Sequence, residues 1–262
     1  MSGVYGVLGS VAVAAGAAAL MGPALAPADS VARAPLRVRD HALAQGAADG
    51  DDGNREALHP SPGYPNAAAI PIKPWNLDVT VPRDPTVVAQ PTCIDQLTTG
   101  MALAGGTFHL EVATDAEDRA VDPNAALPLD RCWGHPYETQ YHYHGPSQTC
   151  FGKGAGRPER GAAGHSPLVG YAIDGFGIYG PRGEDGRIVR NKDLDVCHGH
   201  THAIMWDGKK VVMYHYHLNG ECPYSIGCFR GTPVTVPGSG HGWCHQWDRG
   251  SRPAAAGARR RH

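Results

Sequence analysis

The sequence predicts a mainly β fold, antiparallel, loop-rich and disulfide-containing, with room for one or two short helices. Three observations carry that expectation. Glycine and proline supply 35 and 22 of the 262 residues, which places much of the chain in turns and leaves little of it for long helices. Apolar residues in the central part recur at period two, the spacing of a half-buried strand. Seven cysteines, at 93, 132, 150, 197, 222, 228 and 244, include no C-x-x-C pair. A zinc knuckle needs that spacing, so disulfides are their default use in an exported protein.

Residues 4–28 carry no charge and are rich in Ala, Val, Leu and Gly, and Ala24-Leu25-Ala26 offers small residues two apart. Residues 1–26 therefore read as a cleaved signal peptide, which makes the protein secreted and starts the mature chain near Pro27. The alternative is an uncleaved N-terminal anchor, the one case in which a membrane is a partner. Residues 27–62 are mostly Ala, Gly, Asp and Arg and bury too little apolar surface to offset chain entropy, so a disordered linker is expected there. The folded domain is placed at 63–246. A disordered tail, 247–262, closes the chain and ends in Arg-Arg-Arg-His, read as solvated.

Within the domain, residues 76–81 (NLDVTV) and 107–113 alternate as strands do. Residues 168–173 and 176–179 flank Asp174-Gly175, and 203–206 and 209–218 flank Asp207-Gly208. Both dipeptides suit a tight hairpin turn. The best helix candidate is 115–126. Net charge is −2 and charged residues are 18% of the chain, so no field argues for nucleic acid. No Ser-His-Asp or Cys-His nucleophile arrangement is visible, and 152–156 is glycine-rich without phosphate-loop spacing.

The 15 histidines are clustered, and the clusters repeat. Residues 130–135 (DRCWGH) precede Tyr141-His142-Tyr143-His144 and then Cys150. Residues 195–200 (DVCHGH) precede Tyr214-His215-Tyr216-His217 and then Cys222. Both copies follow the order D-x-C-x-G-H, Y-H-Y-H, C. The repetition makes Cys132 with Cys150, and Cys197 with either Cys222 or Cys228, the candidate disulfides. On a strand, alternate side chains share a face. His142 and His144 then point one way and their tyrosines the other, and His215 and His217 do the same. Neutral imidazoles brought together form a nitrogen-rich site for copper or zinc. The candidate ligands are His142, His144, His215 and His217, expected to converge on one site, with His135 or His200 nearby. The competing reading is a structural ladder of histidines and aromatic rings. Asp174 and His165 are further candidates for a ligand or a supporting partner, with the hairpin turn the more ordinary role for Asp174.

Five stretches resemble the YHYH domain family: 100–108 (GMALAGGTF), 130–150, 164–181 (GHSPLVGYAIDGFGIYGP), 194–200 (LDVCHGH) and 214–231 (YHYHLNGECPYSIGCFRG). The chain departs from that family in a longer gap around 203–210 and in Gly177, where a proline is usual. The resemblance implies an often-exported protein and supplies no catalytic residue. The expected function is an exported protein that binds copper or zinc through paired H-x-H segments, more a binder than an enzyme. The alternatives are a secreted metalloenzyme, an oxidase or oxygenase with copper or a hydrolase with zinc, and a metal-free wall or glycan interaction domain. Oligomeric state is not legible.

Overall fold

The computed structural model describes residues 34–40, 77–109, 113–114, 120–122, 129, 132–137, 140–145, 164–240 and 242. The signal-or-anchor segment, the basic tail, Cys150 and Cys244 lie outside them. The architecture is strand-rich and mainly antiparallel, as expected. Among the described residues the helical content is 3-10 only, at the turn Asn191–Asp193 and at Gly164.

Strand β1, Leu36–Asp40, corrects the expectation of a linker without structure at 27–62: it pairs antiparallel with β2, Leu77–Val81. The alternation Leu36, Val38 against Arg37, Arg39 is a short strand pattern inside a segment that composition makes look uniformly polar. Leu36 packs against the core, and the Arg37 guanidinium pairs with Asp78. The helix candidate at 115–126 is also corrected in part. Ala120–Val121 is strand β6, paired antiparallel with β5, Ala113–Thr114, and most of the remaining candidate residues lie outside those described. No apolar stripe at helical spacing held that segment against strand pairing.

Among the described residues the main sheet has eight strands. Its first half comprises β3 (Thr98–Ala102), β4 (Thr107–His109), β7 (Gly134–Tyr137) and β8 (Gln140–Tyr143). Its second half comprises β9 (Leu168–Ala172), β10 (Gly177–Tyr179), β11 (Gly199–Trp206) and β12 (Lys209–His217). The spatial order is β11-β12-β10-β9-β3-β4-β8-β7. Each half is an antiparallel hairpin whose second strand pairs in parallel with the last strand of that half, so the sheet reads the same from either end. The registers repeat as well: Thr107 faces His142 and Phe108 faces Tyr143, while Ile178 faces Tyr216 and Tyr179 faces His217.

The halves meet at the antiparallel β3–β9 seam, where Met101 faces Tyr171 and is flanked by Gly100↔Ala172 and Ala102↔Gly170. The two glycines are themselves a symmetric pair. A Cβ on Gly100 would lie 2.7 Å from Ile178 Cδ1 and 2.8 Å from the Tyr171 carbonyl. One on Gly170 would lie 2.8 Å from Phe108 Cε2 and 2.5 Å from the Met101 carbonyl. The seam closes because neither carries a side chain. Both predicted hairpins form. Asp207 and Gly208 have φ 50° and 74°, the positive values that a type I′ turn requires. In the other only Gly175 is left-handed, φ 94°, closing a three-residue loop in which its amide donates to the Ala172 carbonyl. The longer gap of the second copy is extra hairpin length in β11 and β12.

The core cluster takes in, on one face of this sheet, Phe108, Tyr141, Tyr143, Ile178, Tyr214 and Tyr216, with Phe229 from the loop beyond β12. Cys197 is bonded to Cys228, not Cys222. Cys93 and Cys132 are disulfide-bonded too. The Cys197–Cys228 bond fastens the start of β11 to the loop that covers the tyrosine face, a constraint of about 2–4 kcal/mol.

Candidate metal centres

The two Y-H-Y-H segments are the end of β8 with His144, and the end of β12. Their alternation is as the period-two reading requires. The four tyrosines enter the core, Tyr141 packing edge-on to Tyr143 and Tyr214 to Tyr216. The histidines take the opposite face. Edge strands β7 and β11 then add the histidine of each D-x-C-x-G-H motif, because His135 faces His142 and His200 faces His215 across the ladder.

The motif's other residues explain this placement. A Cβ on Gly134 would come 2.5 Å from both Tyr141 Oη and the His142 carbonyl, and one on Gly199 would come 2.3 Å from Tyr214 Oη and 2.5 Å from the His215 carbonyl. Only glycine lets the tyrosine cross beneath the edge strand. The residue before it is left-handed in both copies, Trp133 at φ 57° and His198 at φ 72°. The motif aspartate of the second copy, Asp195, accepts hydrogen bonds through Oδ1 from the Cys197 and Gly199 amides at 2.9 and 3.2 Å and from Tyr214 Oη at 3.0 Å.

Two groups of imidazoles result. In the first, His144 Nε2 lies 2.9 Å from His142 Nε2 and 3.3 Å from His135 Nε2. In the second, His215 Nε2 lies 3.3 Å from His165 Nε2 and 3.1 Å from His217 Nε2, and His217 Nε2 lies 3.1 Å from His200 Nε2. The ligand atoms of His135, His142 and His144 all lie within 4.8 Å of one another, as do those of His165, His215 and His217. Two nitrogens bound tetrahedrally to one zinc at about 2.0–2.1 Å are separated by about 3.3–3.4 Å, so this spacing suits a shared ion.

The remaining ring nitrogens fix the tautomer. Nδ1 of His165 donates to the Ser166 carbonyl at 2.7 Å, that of His215 to Met213 at 3.1 Å and that of His217 to Gly180 at 2.6 Å. With Nδ1 holding the proton, each Nε2 presents a lone pair. Lone pairs aimed at one another from about 3 Å repel, and a cation between them removes the conflict.

Burial also keeps these rings neutral. It lowers His135 and His200 to a pKa of about 4 and His215 to about 3. His142, His144 and His217 are pushed well below the ordinary value by burial first and by neighbouring histidines second. A metal arriving at neutral pH displaces no proton from them.

Convergence of all four Y-H-Y-H histidines on one centre is corrected by the topology. Four strands, β4, β3, β9 and β10, separate β8 from β12. Five strand spacings amount to roughly 24 Å. Register pairing puts both groups on the same face, but each segment pairs within its own half and the seam runs between them. The structure thus brings together His135, His142 and His144 in one place, and His200, His215 and His217 in another.

Two residues outside the six ligands drawn from the repeat belong to these groups, one of them the further candidate His165. His165 stands in the second one. His109, at the end of β4, stacks flat on His142 with ring centroids 3.8 Å apart, where the equivalent residue of the second half is Tyr179. Position relative to the strand repeat, not a local motif, is the signal that finds both.

Asp174 faces the tyrosine side. It caps the hairpin and accepts from Tyr216 Oη at 2.6 Å, the Gly231 amide at 2.9 Å and the Phe176 amide at 3.2 Å, while burial raises its pKa. It supports the rung behind His215 and His217 and is not among the imidazole nitrogens.

Comparison with known proteins adds one match. Residues 78–186 fit the family model described as YHYH protein, a span that holds the first Y-H-Y-H segment and the β9–β10 hairpin. No curated protein and no solved structure matches the chain.

Proposed function

Starting from a chain that carries a YHYH domain over residues 78–186, we propose that it is an exported metal-binding protein. It takes up copper or zinc through its paired H-x-H segments. His135, His142 and His144 serve as ligands in the first half, and His215 and His217 with His200 in the second. The observation that carries this reading is the convergence of Nε2 atoms at 2.9–3.3 Å in each group, buried in all but the half-buried His200. In the second group the Nδ1 atoms of His165, His215 and His217 are tied to backbone carbonyls. Imidazole suits both metals. Carboxylates are absent from the two groups among the described residues, which disfavours magnesium and calcium.

Export is supported by the Cys197–Cys228 disulfide and by the uncharged segment with its small-residue cleavage pattern. Among the described residues no helix is long and apolar enough to cross a membrane. The test is metal analysis of tag-free protein recovered outside the cell. Tightly bound copper or zinc is expected, and the double variant His142→Ala with His215→Ala should lose it. Protein that stays metal-free after equilibration with both ions would leave the histidines as a packing device.

A further inference from the structure

The histidine faces of the two halves are not copies of each other. His135, His142 and His144 correspond by register to His200, His215 and His217, and the Nε2 separations repeat: 3.3 and 2.9 Å in the first half, 3.1 and 3.1 Å in the second. Among the described residues the second half then has one more imidazole nitrogen in its cluster, because the extra ring of the first half, His109, stacks flat on His142 and is not one of the clustered nitrogens there. His165 stands three residues ahead of β9, its Nε2 3.3 Å from that of His215 and its Nδ1 donating to the Ser166 carbonyl. The residue three ahead of β3, the same place in the first half, is Asp95, which is exposed. A duplicated three-imidazole plan has therefore acquired a fourth donor on one side.

We propose that the chain binds two ions of unequal affinity. The clustered His165, His215 and His217, with His200 drawn in from its place beside His217 as the fourth ligand, form the tighter, closed site, and the first-half set His135, His142 and His144 forms the weaker one. Four protein ligands complete a tetrahedral shell, whereas three leave a position to an exchangeable ligand. His165 is the residue that sets the difference. The inference rests on the metal-binding reading above and adds stoichiometry, order of filling and the residue responsible.

The test is equilibrium competition for zinc between the metal-free full chain and a chromophoric chelator. Two equivalents should bind in two resolved steps. His165→Ala should weaken the tight step by at least about 100-fold, the upper end of what losing a partner behind a ligand costs. His142→Ala should remove the weak step and leave the tight one. His165→Gln, with circular dichroism on every variant, guards against a loss that is merely unfolding. Two equal steps, a single ion, or a tight step indifferent to position 165 would each overturn this inference while leaving metal binding intact. No binding at all would remove the metal-binding reading as well.

Discussion

The first half of the sheet, β3 to β8, and the second, β9 to β12, share a backbone plan and differ in what they mount on it. On the tyrosine face the two agree: paired tyrosines, a glycine beneath each edge strand, a left-handed residue before it, and glycines at the central seam. On the histidine face they diverge, with His109 against Tyr179 and with His165 present on one side only. The scaffold is the more constrained part because its contacts are backbone to side chain at van der Waals limits, where a single added carbon is refused. The histidine face holds small clusters whose membership changes without disturbing the strands. Geometry is therefore held in common, and chemistry is where the halves separate.

The largest expected effect concerns the feature both halves share, their buried neutral histidines. In the metal-free chain the buried His135 and His215 are held at about 4 and about 3, against about 6.5 for unfolded histidine. Between those values the unfolded chain binds protons that the folded chain refuses, so stability falls as pH drops from about 6.5 towards 4. The slope is about 1.4 kcal/mol per pH unit for each such histidine. Above 6.5 the contribution is complete and flat. Denaturant titrations of apo protein from pH 8 to 4.5 should show steep loss, with zinc opposing it. A flat profile would mean the histidines are not buried neutral.

Next comes a place where the halves differ. Asp174 satisfies Tyr216 Oη and two amides, and the corresponding turn position of β3–β4 is Ala104. Asp174→Ala strands three buried donors and should cost on the order of 3–5 kcal/mol. Thermal unfolding decides it, and a cost below about 1 kcal/mol would mean that water replaces the carboxylate. The Cys197→Ala, Cys228→Ala double variant should lose about 2–4 kcal/mol through freedom returned to the unfolded chain. It should keep its zinc stoichiometry, because neither sulfur is among the imidazole nitrogens.

Smallest is the overpacking pair. Gly134→Ala and Gly199→Ala should each cost about 1–3 kcal/mol, since the tyrosine hydroxyl and a strand carbonyl must yield. Similar losses in both halves would sharpen the equivalence of the scaffolds. A loss confined to one would break it.

Much of this was legible in the sequence. The strands around Asp174-Gly175 and Asp207-Gly208, the alternation that sends tyrosines and histidines to opposite faces, and the pairing of His135 and His200 with the Y-H-Y-H segments all follow from period-two spacing and turn chemistry. Strand order was not legible. Nothing local says that β8 pairs in parallel with β4 and β12 with β10, and those pairings separate the two groups and overturn a single convergent site. His165 was legible only as an ambiguous histidine, because its membership depends on where β9 lies relative to β12. Strand β1 was missed because a five-residue alternation is too short to stand out in an Ala- and Asp-rich segment.

The most direct test of the central claim is X-ray absorption at the metal edge of protein loaded with two equivalents of zinc or copper. The account predicts a nitrogen shell at about 2.0–2.1 Å with the outer-shell pattern of several imidazoles per ion. That pattern should persist, from one ion, when His142 and His144 are both replaced by alanine. A spectrum of oxygen ligands with no imidazole contribution would contradict it, and so would an unchanged spectrum and unchanged metal content in that double variant.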